Sequence, residues 1–396
     1  MQSEGGCAMY EMGKAELDAL KSVIKSGQTF RYRGGEGGWC DRFETALKKK
    51  IGVRYAVTTN SGTSALICAL AGIGVGPGDE VIVPAYTFMA SAIAVTAVGG
   101  IPIIVDIDES LTIAPSAVER AVTRYTKAVI PVHMNGRVCD MDALRRLAGK
   151  HGMKIVEDAC QAVGGSYRGR RLTSIGDVGA FSFNHFKIIS CGEGGAVLTD
   201  DMKIYDRALI LHDGGAVFRA YADKLKTPFF AGMNFRVSEF QGAILHEQLR
   251  RLDRILANLR ARQAAMTEVF ASSPNLRISP NNDPAGDCGC CVSLTFGSGD
   301  EAKAFAERVN SLKAGCGAGR PIDSGRHVYV NWEPILKKQG SHNGKLNPFR
   351  WARRKIEYGP DMCARTLDIL ARTVMIGVPY GATPAECRRM ARRIIG

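Results

Sequence analysis

Lys187 lies in "FSFNHFKIISCGEGG" (181–195), between Phe186 and Ile188-Ile189 and five residues before a glycine-rich turn, Gly192-Glu193-Gly194-Gly195. An ammonium ion in an apolar run loses hydration. Burial of that kind favours the neutral amine, a nucleophile able to form imines. The alternative is a lysine whose stem covers apolar surface while its head stays in water. Upstream, "VEDACQA" (156–162) closes an apolar strand with Glu157-Asp158. A carboxylate at the carboxyl edge of an open α/β sheet stands where ligands bind. It can ligate a metal, act as a base or balance a buried cationic ring, or it simply caps the next turn. Further upstream, "TTNSGTSALICAL" (58–70) runs from a strand through Ser61-Gly62-Thr63-Ser64 into an apolar helix. A helix start offers unpaired amides to phosphate. Gly62 permits close backbone approach, and the hydroxyls of Thr63 and Ser64 can donate. The same residues also read as a plain helix cap.

In chain order these three features are a phosphate cradle, a strand-end anion and an imine-forming amine. Pyridoxal phosphate needs all three: one for its phosphate, one for its pyridinium nitrogen and one for its aldehyde.

The elements that must position them alternate. Helical patterns cover 16–27, 64–75, 88–99, 117–123 and 141–152. Short apolar strands cover 79–84, 101–108, 127–133 and 153–159. "GAFSFN" and "GAVLTD" add two strands that flank Lys187. Near-continuous apolar strands separated by helices predict an α/β fold with a mostly parallel sheet covered on both faces. After about residue 235 one long helical pattern runs over 237–272, with Leu, Ile and Phe on one face and Arg on the other. The remainder predicts a smaller α+β domain. The expected division is 1–250 for the large domain with an N-terminal arm and 251–396 for the small one.

Composition excludes other classes. The chain has 396 residues, 45% hydrophobic and 23% charged, so it is globular, and its glycines are dispersed rather than periodic. No apolar run reaches the roughly 20 residues that span a bilayer, and the start lacks a secretory pattern. Twelve scattered cysteines without an export signal predict reduced thiols in a cytoplasm. The cluster "CGCC" (Cys288, Cys290, Cys291) lacks a second pair at zinc spacing and reads as small strand residues; no metal is expected. The net charge of +13 suits an anionic small molecule and cofactor. The aromatic interleaving of a single-strand binder is missing, so nucleic acid is not expected as a partner.

The sequence resembles the sugar-aminotransferase family typified by DegT, DnrJ, EryC1 and StrS, fold-type-I pyridoxal phosphate enzymes. The resemblance is carried by "RFETAL", "NSGTSAL", "GDEVIVPAYTFMAS", "PIIVDID", "TKAVIPVHMNG", "VEDACQAVGGSY", "IGDVGAFSF", Lys187, "GEGGAVLTD" and "MNFRVSEFQGAILHEQL". It is close over roughly the first two-thirds of the chain and loose thereafter. It implies a three-layer large domain and a smaller C-terminal domain. By this resemblance Lys187 forms the imine with the cofactor and moves the proton, and Asp158 holds the pyridine nitrogen. Gln161 faces the phenolic oxygen and Phe88 stacks on the ring. Gly62, Thr63 and Ser182 bind the phosphate, with Ser64 in the same set. Asn234 matches an asparagine that reaches the cofactor of the neighbouring subunit, which implies a homodimer with shared active sites. The implied reaction moves an amino group from glutamate or glutamine to a keto or aldehyde group of a sugar, nucleotide-sugar or cyclitol.

Other expectations concern the substrates. His185 lines the donor site, or else is a packed or surface histidine. The acceptor side is expected from the loops 29–39 and 325–349, with Arg31, Tyr32, Arg33, His327, Tyr329, Asn331 and Trp332 as candidates. Tyr329 and Trp332 equally suit packing of the small domain. The glycine turn after Lys187 reads as backbone making room beside the cofactor. Two rival functions remain. One is a dehydratase of the same family, in which a histidine typically replaces the lysine. The other is a regulatory protein without turnover.

Overall fold

The computed structural model describes residues 10–32 and 37–396. Seven short strands form its main sheet: β1 (Tyr55–Thr59), β2 (Glu80–Pro84), β3 (Ile101–Val105), β4 (Thr126–Val129), β5 (Lys154–Asp158), β8 (Val178–Ser182) and β9 (Gly195–Thr199), with a small hairpin β6 (Ser166–Tyr167) and β7 (Arg170–Arg171) between β5 and β8. The order is β1-β9-β8-β5-β4-β2-β3. The five strands from β8 to β3 run parallel, and β9 is antiparallel to both its neighbours. Every residue of β2, β8 and β9 is buried. Their unbroken apolar runs follow from burial on both faces. The strand predicted over 127–133 stops at Val129, because Pro131 has no amide to donate to a ladder.

Helices cover both faces. α1 (Lys14–Ser26), α2 (Trp39–Ile51), α3 (Gly62–Gly72), α4 (Ala90–Ala97), α5 (Pro115–Ala121), α6 (Met141–His151) and α7 (Met202–His212) interleave with the strands. Phe43 and Leu47 of α2 and Leu144 of α6 share one core with Ile155 and Phe181. Leu66 and Leu70 of α3, Val95 of α4 and Ala208 of α7 share the other with Val156 and Ala180. Adjacent strand residues thus feed opposite cores, as the two-residue period of a strand requires.

The long helical pattern is one unbroken helix, α8 (Glu239–Ala271), and it runs across position 250. Ser238 and Gln241 close a reciprocal cap at its start. A second, antiparallel sheet follows, ordered β10 (Arg277–Ile278), β11 (Cys291–Thr295), β13 (Thr373–Gly377), β12 (Ala318–Gly319). α9 (Gly299–Ser311), α10 (Glu333–Leu336), α11 (Ala364–Ala371) and α12 (Pro384–Ile395) accompany it. Cys291 opens β11 and Cys288 is fully buried. Among the described residues no three His, Cys, Asp or Glu side chains gather as a metal site.

Candidate active site

The carboxyl ends of β5 and β8, the start of α3, the segment before α4 and the loop 319–327 enclose a cavity of about 1160 Å³. Gly62, Thr63, Phe88, Asp158, Gln161, Ser182, Lys187 and His327 all line it. Tertiary folding therefore brings residues from five separate stretches to one concave site, at the sheet edge where α/β ligands bind.

The pair at the end of β5 divides its labour. Alternation along the strand sends Glu157 and Asp158 to opposite faces. Glu157 accepts backbone hydrogen bonds from Thr173 (2.9 Å), Ile175 (2.7 Å) and Gly176 (2.6 Å), so it is the carboxylate that caps the turn. Asp158 faces the cavity and is 4% exposed. Ser91 Oγ donates to its Oδ2 (2.8 Å) and the amide of Cys160 to its Oδ1 (3.1 Å). Among the described residues it has no ion-pair partner. Ser91 gives its proton to Asp158 and so accepts from Thr87 Oγ1 at 2.8 Å. Gln161 Oε1 accepts from the amide of Asn135 (3.1 Å), which leaves its side-chain NH₂ for the cavity.

The start of α3 is built for close approach. Ser61 caps the helix by accepting from the amide of Ser64 (3.1 Å), and the Ser64 hydroxyl donates to Asn60 (2.7 Å). Ser64 is thus spent inside the cap, and Ser61, not Ser64, lines the cavity. A Cβ on Gly62 would lie 2.7 Å from Ser182 Cβ and 2.9 Å from Cys160 Sγ. A Cβ on Gly195 would lie 2.3 Å from the Ser61 carbonyl. The glycine after Lys187 therefore makes room for the start of α3, not directly for a ligand.

Lys187 sits on the turn after β8, its amide bonded to the Asn184 carbonyl (3.0 Å). Its half-buried side chain reaches the cavity, and its ammonium has no hydrogen bond or ion pair among the described residues. His185 does not line the cavity. It is exposed and bonded through Nδ1 to Tyr10 Oη at 2.9 Å, so the surface alternative is the one observed.

The acceptor candidates separate. His327 faces Phe88, with ring centroids 5.5 Å apart. Burial, and then the nearby Lys187, push its imidazole below the usual range. Tyr329 and Trp332 are fully buried. Tyr329 Oη donates to the Pro360 carbonyl, and Trp332 Nε1 donates to the Arg326 carbonyl (2.8 Å). Asn331 donates to the Gly325 carbonyl (2.8 Å). These three hold the loop rather than line the cavity. Arg31 is 4% exposed, ion-paired with Glu44 and bonded to the Thr58 carbonyl. Tyr32 Oη donates to His212 Nε2 (3.2 Å). Neither reaches the cavity of its own chain, because both are used to fix the segment before α2 against β1 and α7. Arg33 lies outside the described residues. Asn234 is exposed and also outside its own chain's cavity.

The sequence reading missed Ser61, Ser91, Asn135, Cys290 and Arg326, which also line the cavity. Two left a signal. Ser91 follows Thr87 by four residues, one helical turn. Asn135 stands in Asn-Gly with φ of 51°, the left-handed conformation that this dipeptide favours.

The sequence pattern of the DegT/DnrJ/EryC1/StrS aminotransferase family matches residues 11–315. An L-glutamine:2-deoxy-scyllo-inosose aminotransferase of Streptoalloteichus tenebrarius is 41% identical over 277 residues, 67% of this chain and 64% of the relative. A dTDP-3-amino-3,4,6-trideoxy-alpha-D-glucose transaminase of Streptomyces venezuelae is 41% identical over 283 residues, 70% of this chain and 72% of the relative. The match thus spans just under two thirds of the first relative and rather more of the second. The solved structure of 3-amino-5-hydroxybenzoic acid (AHBA) synthase is similar over 98% of this chain and 97% of that one, with a TM-score of 0.80 and 28% identity.

Proposed function

The chain belongs to the DegT/DnrJ/EryC1/StrS aminotransferase family, and from that premise we propose that it is a pyridoxal-phosphate-dependent aminotransferase. It moves the amino group of glutamate or glutamine to a keto or aldehyde group of a sugar, nucleotide-sugar or cyclitol. The names of the two relatives support both halves of that reaction.

One observation carries the reading: Asp158, buried and without a cation among the described residues, faces the same cavity as the Lys187 side chain, whose Nζ has no partner among those residues. An uncompensated buried carboxylate is costly, and a protonated ring nitrogen offsets that cost. The residues present fit the cofactor. Gly62 and Thr63 offer amides at a helix start, Ser182 adds a hydroxyl, and the missing Cβ of Gly62 lets that helix start lie close against Ser182. When bound, pyridoxal phosphate supplies an aldehyde that condenses with amines and a ring that takes up the electrons of a broken C–H bond. Asp158 holds the proton at the ring nitrogen. Lys187 moves the proton between the donor's α-carbon and C4′. Phe88, 40% exposed, covers the ring face, and the Gln161 amide is free to meet the phenolic oxygen. Lysine at position 187, rather than histidine, favours transfer over dehydration.

The homodimer with shared sites is part of the same proposal. Asn234 stands exposed on a segment that also exposes Phe218, Phe229 and Met233, which suits burial against a second copy. We divide the chain near residue 250, within α8. Every strand described before it belongs to the seven-stranded sheet or its hairpin, and every strand described after it to the four-stranded sheet. The eleven described cysteines are free thiols, which supports a reducing, cytoplasmic setting.

Lys187→Ala tests the function. Borohydride reduction should fix the cofactor to a peptide containing residue 187 in the wild type and leave none in the variant, and transamination should vanish. A variant that still aminates an acceptor at the wild-type rate would refute the assignment.

A further inference from the structure

Asp213 ends α7 as a buried acid, 3% exposed. A carboxylate at the C-terminal end of a helix meets the negative pole of the helix dipole, so its charge calls for cations. Two come from the segment that follows. Arg219 forks onto it, Nε to Oδ2 at 2.7 Å and Nη2 to Oδ1 at 3.0 Å. Arg236 Nη1 donates to Oδ1 at 2.7 Å, and Tyr221 Oη donates to Oδ2. The Arg219 guanidinium also lies over the rings of Phe30 and Tyr32, 5.1 and 5.2 Å from their centroids.

The main chain closes the same loop. Asp213 pairs with Asn234 in an antiparallel bridge. The Gly214 amide donates to the Met233 carbonyl (2.8 Å), and the Phe235 amide to the His212 carbonyl (2.9 Å). A Cβ on Gly232 would lie 2.4 Å from the Ile210 carbonyl, so the returning chain runs tight against the end of α7. Between these ends the segment exposes Val217, Phe218, Phe229 and Met233, Phe218 by 98%. Asn234 stands exposed at the root of this arm. Its Oδ1 accepts from the Arg236 amide (3.4 Å), which leaves the side-chain NH₂ for another acceptor. No residue from 213 to 236 lines the cavity of its own chain. The Asp213 cluster therefore fixes an arm that stands apart from that cavity.

We propose that Asp213 is a positioning residue that acts in trans: its side chain sets the arm 214–236 so that Asn234 reaches the cofactor phosphate in a second copy of this chain. The proposal rests on the shared-site reading above. Without the carboxylate, two like-charged guanidinium groups face each other and Arg219, Tyr221 and Arg236 lose their common anchor. The arm's tie to its own site is of another kind. The Asn60 amide, just before the start of α3, donates to the Phe235 carbonyl (2.8 Å). That bond is main chain on both sides and does not use the Asp213 side chain. A change of the Asp213 side chain therefore falls on the neighbour's site and spares its own.

The test uses mixed dimers of the full chain, purified through two different tags, one on each variant. The readout is the share of bound cofactor that glutamate or glutamine converts in a single turnover, at a cofactor concentration that just saturates the wild type. The Asp213→Asn homodimer should lose roughly tenfold or more, the range for lost hydrogen bonds between charged groups. Paired with Lys187→Ala, one site keeps its lysine and receives an intact arm, so about half of the wild-type conversion should return. Paired with Asn234→Ala, each site receives a damaged arm, and nothing should return. A role confined to its own site exchanges the two results. Silence with Lys187→Ala, recovery with Asn234→Ala, or an Asp213→Asn homodimer as active as the wild type overturns the proposal. Where Asp213→Asn chains do not assemble, Arg219→Gln, which keeps the carboxylate and removes the fork, takes their place with the same expected pattern. The mixture of Lys187→Ala with Asn234→Ala tests the sharing itself. Recovery there beside an exchanged pattern removes only the role of Asp213, and silence there removes shared sites and this proposal together. A wild type that converts no cofactor with either donor overturns the aminotransferase reading and this proposal with it.

Discussion

Ser91 Oγ donates a 2.8 Å hydrogen bond to Asp158 Oδ2, across 67 residues of sequence. With the Cys160 amide it fixes the carboxylate's plane and leaves Asp158 without a cationic partner among the described residues. Ser91→Ala should loosen pyridoxal phosphate roughly ten- to hundredfold, the range for a lost hydrogen bond to a charged group. Thr87→Val, which removes only the donor to Ser91, should cost less. Equilibrium dialysis of cofactor from the two variants checks the ranking. Equal retention by S91A and wild type would show that Ser91 does not steady Asp158.

Gly62→Ala should act on the other end of the cofactor. The added methyl meets Ser182 Cβ and Cys160 Sγ at under 3 Å, so the start of α3 must move away from the end of β8. Overpacking of this kind costs about 1–3 kcal/mol. The urea midpoint should fall and cofactor affinity should fall with it. Affinity unchanged beside a lowered midpoint would place the phosphate elsewhere.

Shared sites make a quantitative claim. In a mixed dimer of Lys187→Ala and Asn234→Ala chains, one site carries both changes and the other carries neither. Random mixing makes half the dimers mixed, so about a quarter of wild-type activity should return on mixing two nearly inactive variants. Sites complete within one chain would show no recovery beyond the average of the two parents.

Acid stability should depend on His212. This side chain is fully buried, and its Nδ1 donates to the Leu209 carbonyl at 2.9 Å while its Nε2 accepts from Tyr32. Burial, and then the neighbouring Arg31 cation, push it down to about 3. Its folded pKa lies below its unfolded value, so the unfolded chain binds a proton that the folded chain refuses. The stability it contributes is whole above about pH 6.5 and is lost as pH falls from there towards 3, at up to about 1.4 kcal/mol per pH unit. His212→Gln should flatten that limb of a pH series of urea unfolding. An identical slope in the variant would remove His212 from the account.

The amino-acid order by itself determined the alternation of helix and apolar strand, hence the covered, mostly parallel sheet. It also marked Lys187, Asp158 and the start of α3, because a charge in an apolar run, a strand-end acid and a helix start each leave a local signature. These signals are short-range: a strand's period, a cap, a polar residue in an apolar run. Which of two adjacent carboxylates faces the cavity was not legible until the direction of β5 within the sheet was known. Nor was the fate of Arg31, which looks like a ligand's partner until Glu44, thirteen residues on, is seen to neutralise it. Tyr329 and Trp332 carry groups suited to a polyol, yet the fold turns those groups onto backbone carbonyls of the loops they support. Ser91 and Arg326 were silent for the converse reason. A serine in a small apolar helix and an arginine in a glycine-containing loop are ordinary locally, and only the long-range packing of 85–91 against 325–329 directs them into the cavity.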